Sequence, residues 1–172
     1  FFGGSLSIQQ NINDNVILYG SIAKGYKAGG INQNPYLTDE SRFYNPEFNL
    51  NTEIGVRITW KNIHTNIALF NMKRTNQQVQ ISSQQVENDP NSFTYYTSNS
   101  TEGFNRGFEI ESSIKLSKNL IISSSLGYLN THINEFIYED NVDSDIILVS
   151  AGNRAQAMAP KFNSSFDIRY FH

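Results

Sequence analysis

Strand-like segments of about ten residues are separated by connections that alternate between short and long along the whole chain. Consecutive antiparallel strands reverse direction, so this order places every short turn at one end of a sheet and every long loop at the other. Transmembrane β-barrels show this asymmetry, and a tilted strand of about 9–11 residues crosses the hydrocarbon layer. The short connections are Asn13–Asn15, Lys61–Asn62 and Ser117–Asn119, and the long ones are roughly 27–49, 75–102 and 135–159.

Apolar and polar residues alternate within the strand-like segments, which predicts strands with one apolar face. The predicted strands are 4–12, 16–26, 50–60, 63–73, 104–116, 120–130 and 161–171. In segment 63–73 the alternation does not decide which face is apolar. Ile63, Ile67 and Leu69 favour one face, and Ala68, Phe70 and Met72 favour the other. Alternation alone is compatible with lipid or with a soluble core against the apolar side.

Charged residues fall on the opposite faces of these strands. They are Glu53 with Arg57, Glu109 and Glu111 with Lys115, and Asp167 with Arg169. In a barrel they line a polar interior, and in a soluble sandwich they form the solvated surface. The loop-length pattern favours the barrel. The fold class we predict is all-β, an antiparallel transmembrane β-barrel segment of about seven strands.

Composition agrees with strands and excludes several classes of protein. Hydrophobic residues make up only 38% of the chain, and no apolar run approaches the roughly 18 residues that a spanning helix needs. Aromatic residues make up 13%, as expected for aromatic girdles at two membrane interfaces. The net charge of −3 comes with no basic stripe, so nucleic acid is not an expected partner.

The chain shows no pattern typical of an enzyme, a cofactor site or a metal site. His64, His132 and His172 are far apart and share no ligand spacing. Glu109 and Glu111 share a face, but the sequence supplies no nucleophile with a base for them to assist. The chain also has no cysteine, so neither a disulfide framework nor thiolate chemistry is available. We therefore expect no enzymatic activity, no cofactor and no metal.

Several short motifs resemble those of TonB-dependent outer-membrane receptors. Residues 22–32, Ile-Ala-Lys-Gly-Tyr-Lys-Ala-Gly-Gly-Ile-Asn, resemble the family's strand end before an outer loop, with Tyr26 where Phe is commoner. The other motifs follow in the family's order over about 22–170, with Gln156-Ala157-Met158 departing from the usual lead into Ala159-Pro160. They are 45–47 with 51–57, 68–70 with 79–82, 107–111, 126–136, and 152–154 with 159–161.

This resemblance implies the C-terminal part of a plugged barrel of about 22 strands in the bacterial outer membrane. Residues 1–172 are then one partial barrel domain, and we expect the plug domain and the terminal strands to lie outside the chain. The implied partners are outer-membrane lipid, the TonB machinery acting through the plug region, and a small nutrient, with an iron chelate as the expected cargo. The alternative is a soluble β-sandwich that binds carbohydrate.

Two clusters of aromatic and basic residues in the long loops are the candidate ligand-binding residues. Tyr36, Arg42, Phe43 and Tyr44 lie in the first loop, and Phe93, Tyr95 and Tyr96 lie in the second. Loops carried on a rigid wall commonly hold binding residues. Stacking and positive charge suit a flat anionic chelate such as a ferric siderophore. Aromatic girdles and loop packing are the competing explanation for the same residues.

Overall fold

The computed structural model describes residues 2–33, 37–84, 89, 91, 93–142 and 145–172, and these residues form thirteen strands and one helical turn. The helical turn is α1, Asp39–Arg42. In chain order the strands are β1 Gly4–Asn13, β2 Val16–Lys27, β3 Gly30–Ile31, β4 Phe43–Tyr44, β5 Glu47–Trp60, β6 Ile63–Thr75, β7 Gln78–Gln84, β8 Phe93–Asn99, β9 Glu102–Lys115, β10 Leu120–Ile133, β11 Phe136–Val142, β12 Asp145–Ala151 and β13 Phe162–Tyr170.

Seven long strands form one antiparallel sheet in the order β1-β2-β5-β6-β9-β10-β13. Each is paired with the next long strand along the chain, so the sheet is an up-and-down meander. The seven predicted strands are confirmed, with boundaries shifted by a few residues. The short turns all lie at one end of the sheet, here called the turn end, and the long connections lie at the other, here called the loop end.

Two of the three short turns are closed by local side-chain hydrogen bonds. Asn13 Oδ1 accepts from the backbone N–H of Asn15 at 2.8 Å, and Ser117 Oγ accepts from that of Asn119 at 3.2 Å. Left-handed backbone is found in the second turn, where Lys61 has φ of 54°, and not in the Asn13–Asn15 turn. The first turn therefore relies on the hydrogen-bonding side chain of Asn13 and not on a left-handed residue.

One face of the sheet, here called the apolar face, remains uncovered within the described structure. Paired residues Gly20, Ile54, Leu69, Phe108, Tyr128 and Phe162 form one row across it. Ile54, Leu69 and Phe162 are between 54% and 66% exposed. The pairing register shows which side of β6 belongs to the apolar face, because Ile63, Ile67 and Leu69 lie on it. No second sheet of the described residues buries these side chains, as a sandwich requires, so the sandwich alternative is not favoured.

The opposite face, here called the polar face, carries all of the charged residues that the sequence assigned to it. The Arg57 guanidinium lies 4.7 Å from the centre of the Tyr19 ring, and the Tyr19 hydroxyl donates to Asn66 Oδ1 at 3.4 Å. A cavity of about 640 Å³ runs along this face, and it is lined by residues that include His64, Glu111 and Arg169. A polar face of this kind is what the inner side of a barrel wall requires.

Aromatic residues occupy both ends of the apolar face. Trp60 and Tyr170 lie at the turn end, and Tyr26, Phe48 and Phe104 lie in the two rows nearest the loop end. At about 3.3 Å per residue and a tilt of about 45°, the stretch of β5 from Phe48 to Trp60 spans roughly 28 Å of height. That height fits an apolar band of about 25 Å with aromatic girdles.

The long connections are more structured than the sequence indicated. They contain three short strand pairs, β3 with β4, β7 with β8 and β11 with β12, in addition to α1. The β7–β8 and β11–β12 pairs extend over seven residues on each strand. Among the described residues, no helix is long and apolar enough to cross a bilayer.

Candidate functional site

The described parts of the three long connections pack together at the loop end, and we call the described residues within 28–46, 76–101 and 134–161 the loop cluster. The hydrophobic core of the described chain lies here, and Ile133, the last residue of β10, is its one member from the seven-stranded sheet. The core consists of Leu37, Ile81, Tyr96, Ile133 and Phe136, with Val79, Tyr138 and Ala151 packed against it. Each connection contributes at least one residue, so the loops support one another and present a defined surface.

A buried ion pair fixes the loop cluster to the rim of the wall. The Glu47 carboxylate, at the start of β5, accepts from Arg74 Nε at 2.8 Å and from Arg74 Nη2 at 2.5 Å. Its second oxygen accepts from the backbone N–H of Gln78 at 2.9 Å. The side chains of Glu47 and Arg74 are only 7% and 18% exposed. The multiple bonds satisfy both charges at the point where the second connection leaves β6.

Amide side chains connect the first and second connections directly. Asn32 donates to the Thr97 carbonyl and accepts from the Thr97 N–H, both at 2.8 Å. Asn99 acts in the same way on Asn45, with distances of 2.7 and 3.0 Å. These side chains mimic a backbone pairing along the edge of β8 and hold the two loops in register.

The glycines of the Ala-Gly-Gly motif allow close approach of the chain at the start of the first connection. A Cβ at Gly29 would lie 2.5 Å from the Tyr44 carbonyl oxygen and 2.9 Å from the Pro46 nitrogen. Any larger residue therefore displaces the backbone on the opposite side of the loop. The motif serves the packing of the loop base, as expected for glycines at a barrel rim.

The predicted ligand-binding residues lie in different environments within the loop cluster. Tyr96 is 4% exposed and belongs to the core, whereas Phe43, Phe93 and Tyr95 are 64%, 47% and 63% exposed. Phe93 and Tyr95 share the outer face of the β7–β8 hairpin, opposite the face that carries Ile81 and Tyr96.

Tyr44 and Arg42, the other described candidates of the first connection, each contact a residue of that same connection. Tyr44 pairs with Gly30, and the Tyr44 ring covers that glycine. Arg42 forms an ion pair with Asp39 at 3.3 Å, and the two side chains are 41% and 91% exposed. Tyr36 lies outside the described residues.

A cavity of about 260 Å³ lies where the three connections meet. Its lining includes Phe43 from the first, Thr97 and Asn99 from the second, and Ile137 and Leu148 from the third. Ile137 and Leu148 are 64% and 72% exposed, and sequence reasoning did not select them. The apolar run 146–149 in an otherwise polar connection is a signal that could have identified Leu148. The cavity combines apolar side chains with hydroxyl and amide groups, and its volume is below the usual range of small-molecule pockets.

The antiparallel meander with one apolar and one polar face, its aromatic girdles and its structured loops at one end define a transmembrane β-barrel wall. Residues 2–172 match the family model described as TonB dependent receptor-like, beta-barrel. The chain therefore belongs to the TonB-dependent receptor β-barrel family. Proteins of this family are bacterial outer-membrane transporters and not enzymes. A comparison with curated proteins gave no match.

Solved receptor structures share this fold at low sequence identity. The ferric yersiniabactin uptake receptor FyuA from Yersinia pestis aligns with a TM-score of 0.70 and 16% identity, over 96% of this chain and 22% of that one. The siderophore receptor PirA from Pseudomonas aeruginosa gives 0.60 and 16%, over 78% and 29%. The copper transporter OprC gives 0.72 and 14%, over 99% and 24%. The chain thus spans about a quarter of the length of these receptors.

Proposed function

We propose that this chain forms part of the wall of an outer-membrane receptor that captures a scarce nutrient and imports it with energy from TonB. Family membership supports the outer-membrane location and the transport class. The open sheet supports a larger barrel, because the outer edges of β1 and β13 are free of partners among the described strands. A plug domain and further strands, about 22 in all, complete the receptor in this proposal.

The observation that carries the binding role is the set of exposed aromatic rings on a rigid loop base. Phe43, Phe93 and Tyr95 project from a cluster that is held by a buried core and by the Glu47–Arg74 pair. Rings fixed in this way lose little conformational freedom when they stack on a ligand. Tyr96 lies on the opposite, buried side of the β7–β8 hairpin and holds the hairpin in place.

The expected cargo is a ferric siderophore or a similar iron chelate. Exposed rings stack on flat conjugated groups, and Arg42 at the edge of the same loop supplies a guanidinium for an anionic ligand. Among the similar structures, PirA is described as a siderophore receptor, FyuA as a ferric yersiniabactin uptake receptor and OprC as a copper transporter. Binding and release of an intact chelate is the whole activity, so no covalent step is involved.

The test is uptake and binding by the full-length protein in outer membranes. We expect a catecholate or hydroxamate ferric chelate to bind, and to enter cells only when TonB is present. The double variant Phe43→Ala with Tyr95→Ala removes two stacking surfaces, each contributing about 1 kcal/mol. Its affinity for the chelate is expected to fall by about tenfold to thirtyfold.

Tyr170→Ala is the matched control, because it removes an exposed ring at the turn end, far from the loops. Its affinity is expected to equal that of the parent. A copper complex is assayed in parallel. Preferential uptake of copper, or an unchanged chelate affinity in the double variant, would contradict the iron-chelate assignment.

A further inference from the structure

The apolar face carries charge only near the loop end. Across four of the strand pairings, Lys24, Leu50, Lys73, Phe104 and His132 form one row. The next row toward the turn end contains Asn71, Arg106 and Asn130. We call Lys24, Lys73 and Arg106 the basic belt.

The charge of the belt is not balanced by acids on the same face. Among the described strand positions of the apolar face, Glu102 is the one carboxylate, and from the row after Arg106 to the turn end no position is charged. The three cations and one anion leave an excess of positive charge, although the whole chain has a net charge of −3. An excess of this sign, on this face and only in the rows near the loop end, indicates an anionic partner close to that end of the wall.

Aromatic rings hold two of the cations in place. Lys24 Nζ lies 5.6 Å from the centre of the Phe48 ring, and Arg106 Cζ lies 4.5 Å from that of Phe104. Phe104 also stacks on His132 at 5.6 Å. Such cation–π contacts orient the side chain and leave its N–H donors free for a ligand. Lys24 and Arg106 are both exposed.

Lys73 is partly engaged within the protein. Its Nζ lies 2.9 Å from Glu102 Oε1, and the two side chains are 55% and 45% exposed. An ammonium group has three donors, so this pair leaves Lys73 able to bind a second acceptor. Neighbouring strands are about 4.8 Å apart, which places the Lys24 and Lys73 backbones about 10 Å from each other.

The level of the belt identifies the partner. The belt lies among the aromatic residues of the loop end, where a girdle marks the boundary between hydrocarbon and headgroups. We propose that the basic belt binds the phosphate groups of a phosphorylated lipid of the surrounding outer leaflet. Arg and Lys at such a boundary attract anionic headgroups, with Arg able to bind two phosphate oxygens at once. This inference rests on the membrane placement in the proposed function and is independent of the nutrient.

The test measures lipid binding to the full-length receptor purified in a neutral detergent. The probe is bisphosphorylated lipid A, compared with the same lipid after enzymatic removal of its phosphates. Binding is counted by native mass spectrometry across a lipid titration. The variant is Lys24→Gln with Lys73→Gln and Arg106→Gln. We expect at least about a tenfold weaker affinity for the bisphosphorylated lipid, given the contribution of each basic residue near an anionic headgroup.

A matched variant removes three positive charges at the turn end: Lys61→Gln with Lys115→Gln and Lys118→Gln. We expect it to bind the phosphorylated lipid as the parent does. Equal affinity of the belt variant and the parent would overturn the proposal, and so would equal binding of the dephosphorylated lipid. If the belt variant does not assemble, the affinity of the parent protein for the phosphorylated lipid is measured at increasing salt. Recognition of phosphate predicts that this affinity falls as salt is added, and an affinity independent of salt would overturn the proposal.

Failure of this proposal is distinguishable from failure of the receptor function. A heat-modifiable protein that binds its nutrient but ignores lipid phosphate overturns the basic belt alone. A protein that does not insert into membranes overturns both.

Discussion

At the scale of single residues, the packing of the Tyr19 ring on the polar face depends on the glycine at position 55. Tyr19 and Gly55 are directly paired on β2 and β5, and the Tyr19 ring lies over the glycine. A Cβ at Gly55 would overlap the end of that ring. The ring is held in turn by Arg57 above it and by Asn66 at its hydroxyl. The absence of a side chain at Gly55 is therefore what allows this cluster to form.

Gly55→Ala is expected to destabilise the folded protein by about 1–3 kcal/mol, because the Tyr19 ring must leave its position. The measurement is the temperature at which the refolded full-length protein loses its folded mobility in gel electrophoresis. Gly127→Ala is the control on the same face, since the nearest atoms to its Cβ lie 3.9 Å away. We expect its midpoint to stay close to that of the parent, and equal losses in the two variants would contradict the argument.

At the scale of elements, the loop cluster depends on how each connection leaves the wall. The second connection begins at the Glu47–Arg74 pair and continues through Asn76, which has φ of 53°. The backbone N–H of Gln78, the first residue of β7, completes the hydrogen bonds of the Glu47 carboxylate. The base of the β7–β8 hairpin is thus fixed by polar contacts, and its body by the hydrophobic core.

Glu47→Ala is expected to loosen the loop cluster, because it leaves the buried Arg74 guanidinium without its partner. Breaking a fully buried pair costs about 3–5 kcal/mol, and a smaller loss is expected here because the Arg74 side chain is 18% exposed. Hydrogen exchange of the β7 and β8 amides in the full-length protein measures the effect. We expect exchange there to accelerate strongly while that of β9 stays slow.

Arg42→Ala is the comparison for Glu47→Ala. It removes a solvent-exposed pair with Asp39, which contributes at most about 1 kcal/mol. Exchange of β7 and β8 is expected to match the parent. Unchanged exchange in Glu47→Ala would show that the hydrophobic core alone holds the hairpin.

At the scale of the whole molecule, the distribution of burial is that of a membrane wall. The buried hydrophobic residues are concentrated in the loop cluster, whereas large apolar side chains along the sheet remain exposed. In water such a sheet would aggregate through its free edges and its apolar face. Lipid in contact with the apolar face keeps that face away from water without a covering layer of protein. This explains why the sheet has no hydrophobic core of its own.

Ile54→Arg tests whether the apolar face contacts lipid. Ile54 lies at the middle of that face, halfway along β5 between Phe48 and Trp60. An arginine at the midplane of a barrel's lipid face costs about 2–4 kcal/mol. We expect a lower yield of heat-modifiable protein on refolding into vesicles. Asn51→Arg, on the polar face of the same strand, is expected to refold as the parent does. Equal refolding of the two variants would place Ile54 away from lipid.

The arrangement of the wall was determined by the sequence itself. Period-two alternation and loop length are local properties, and they were sufficient to predict seven strands, three tight turns and a loop end. The sequence could not choose the face of β6, because apolar residues such as Leu69 and Phe70 occupy both parities. Pairing with β5 and β9 decided it, since a register shift of one residue would expose every charged side chain to the wrong side.

Only the tertiary structure decided which loop residues are exposed. Tyr95 and Tyr96 are adjacent and chemically identical, and their opposite environments depend on which side of the β7–β8 hairpin meets Phe136 and Leu37. The basic belt likewise combines residues from three strands that lie far apart in sequence. Such sets depend on long-range pairing and packing, so no local pattern in the chain specifies them.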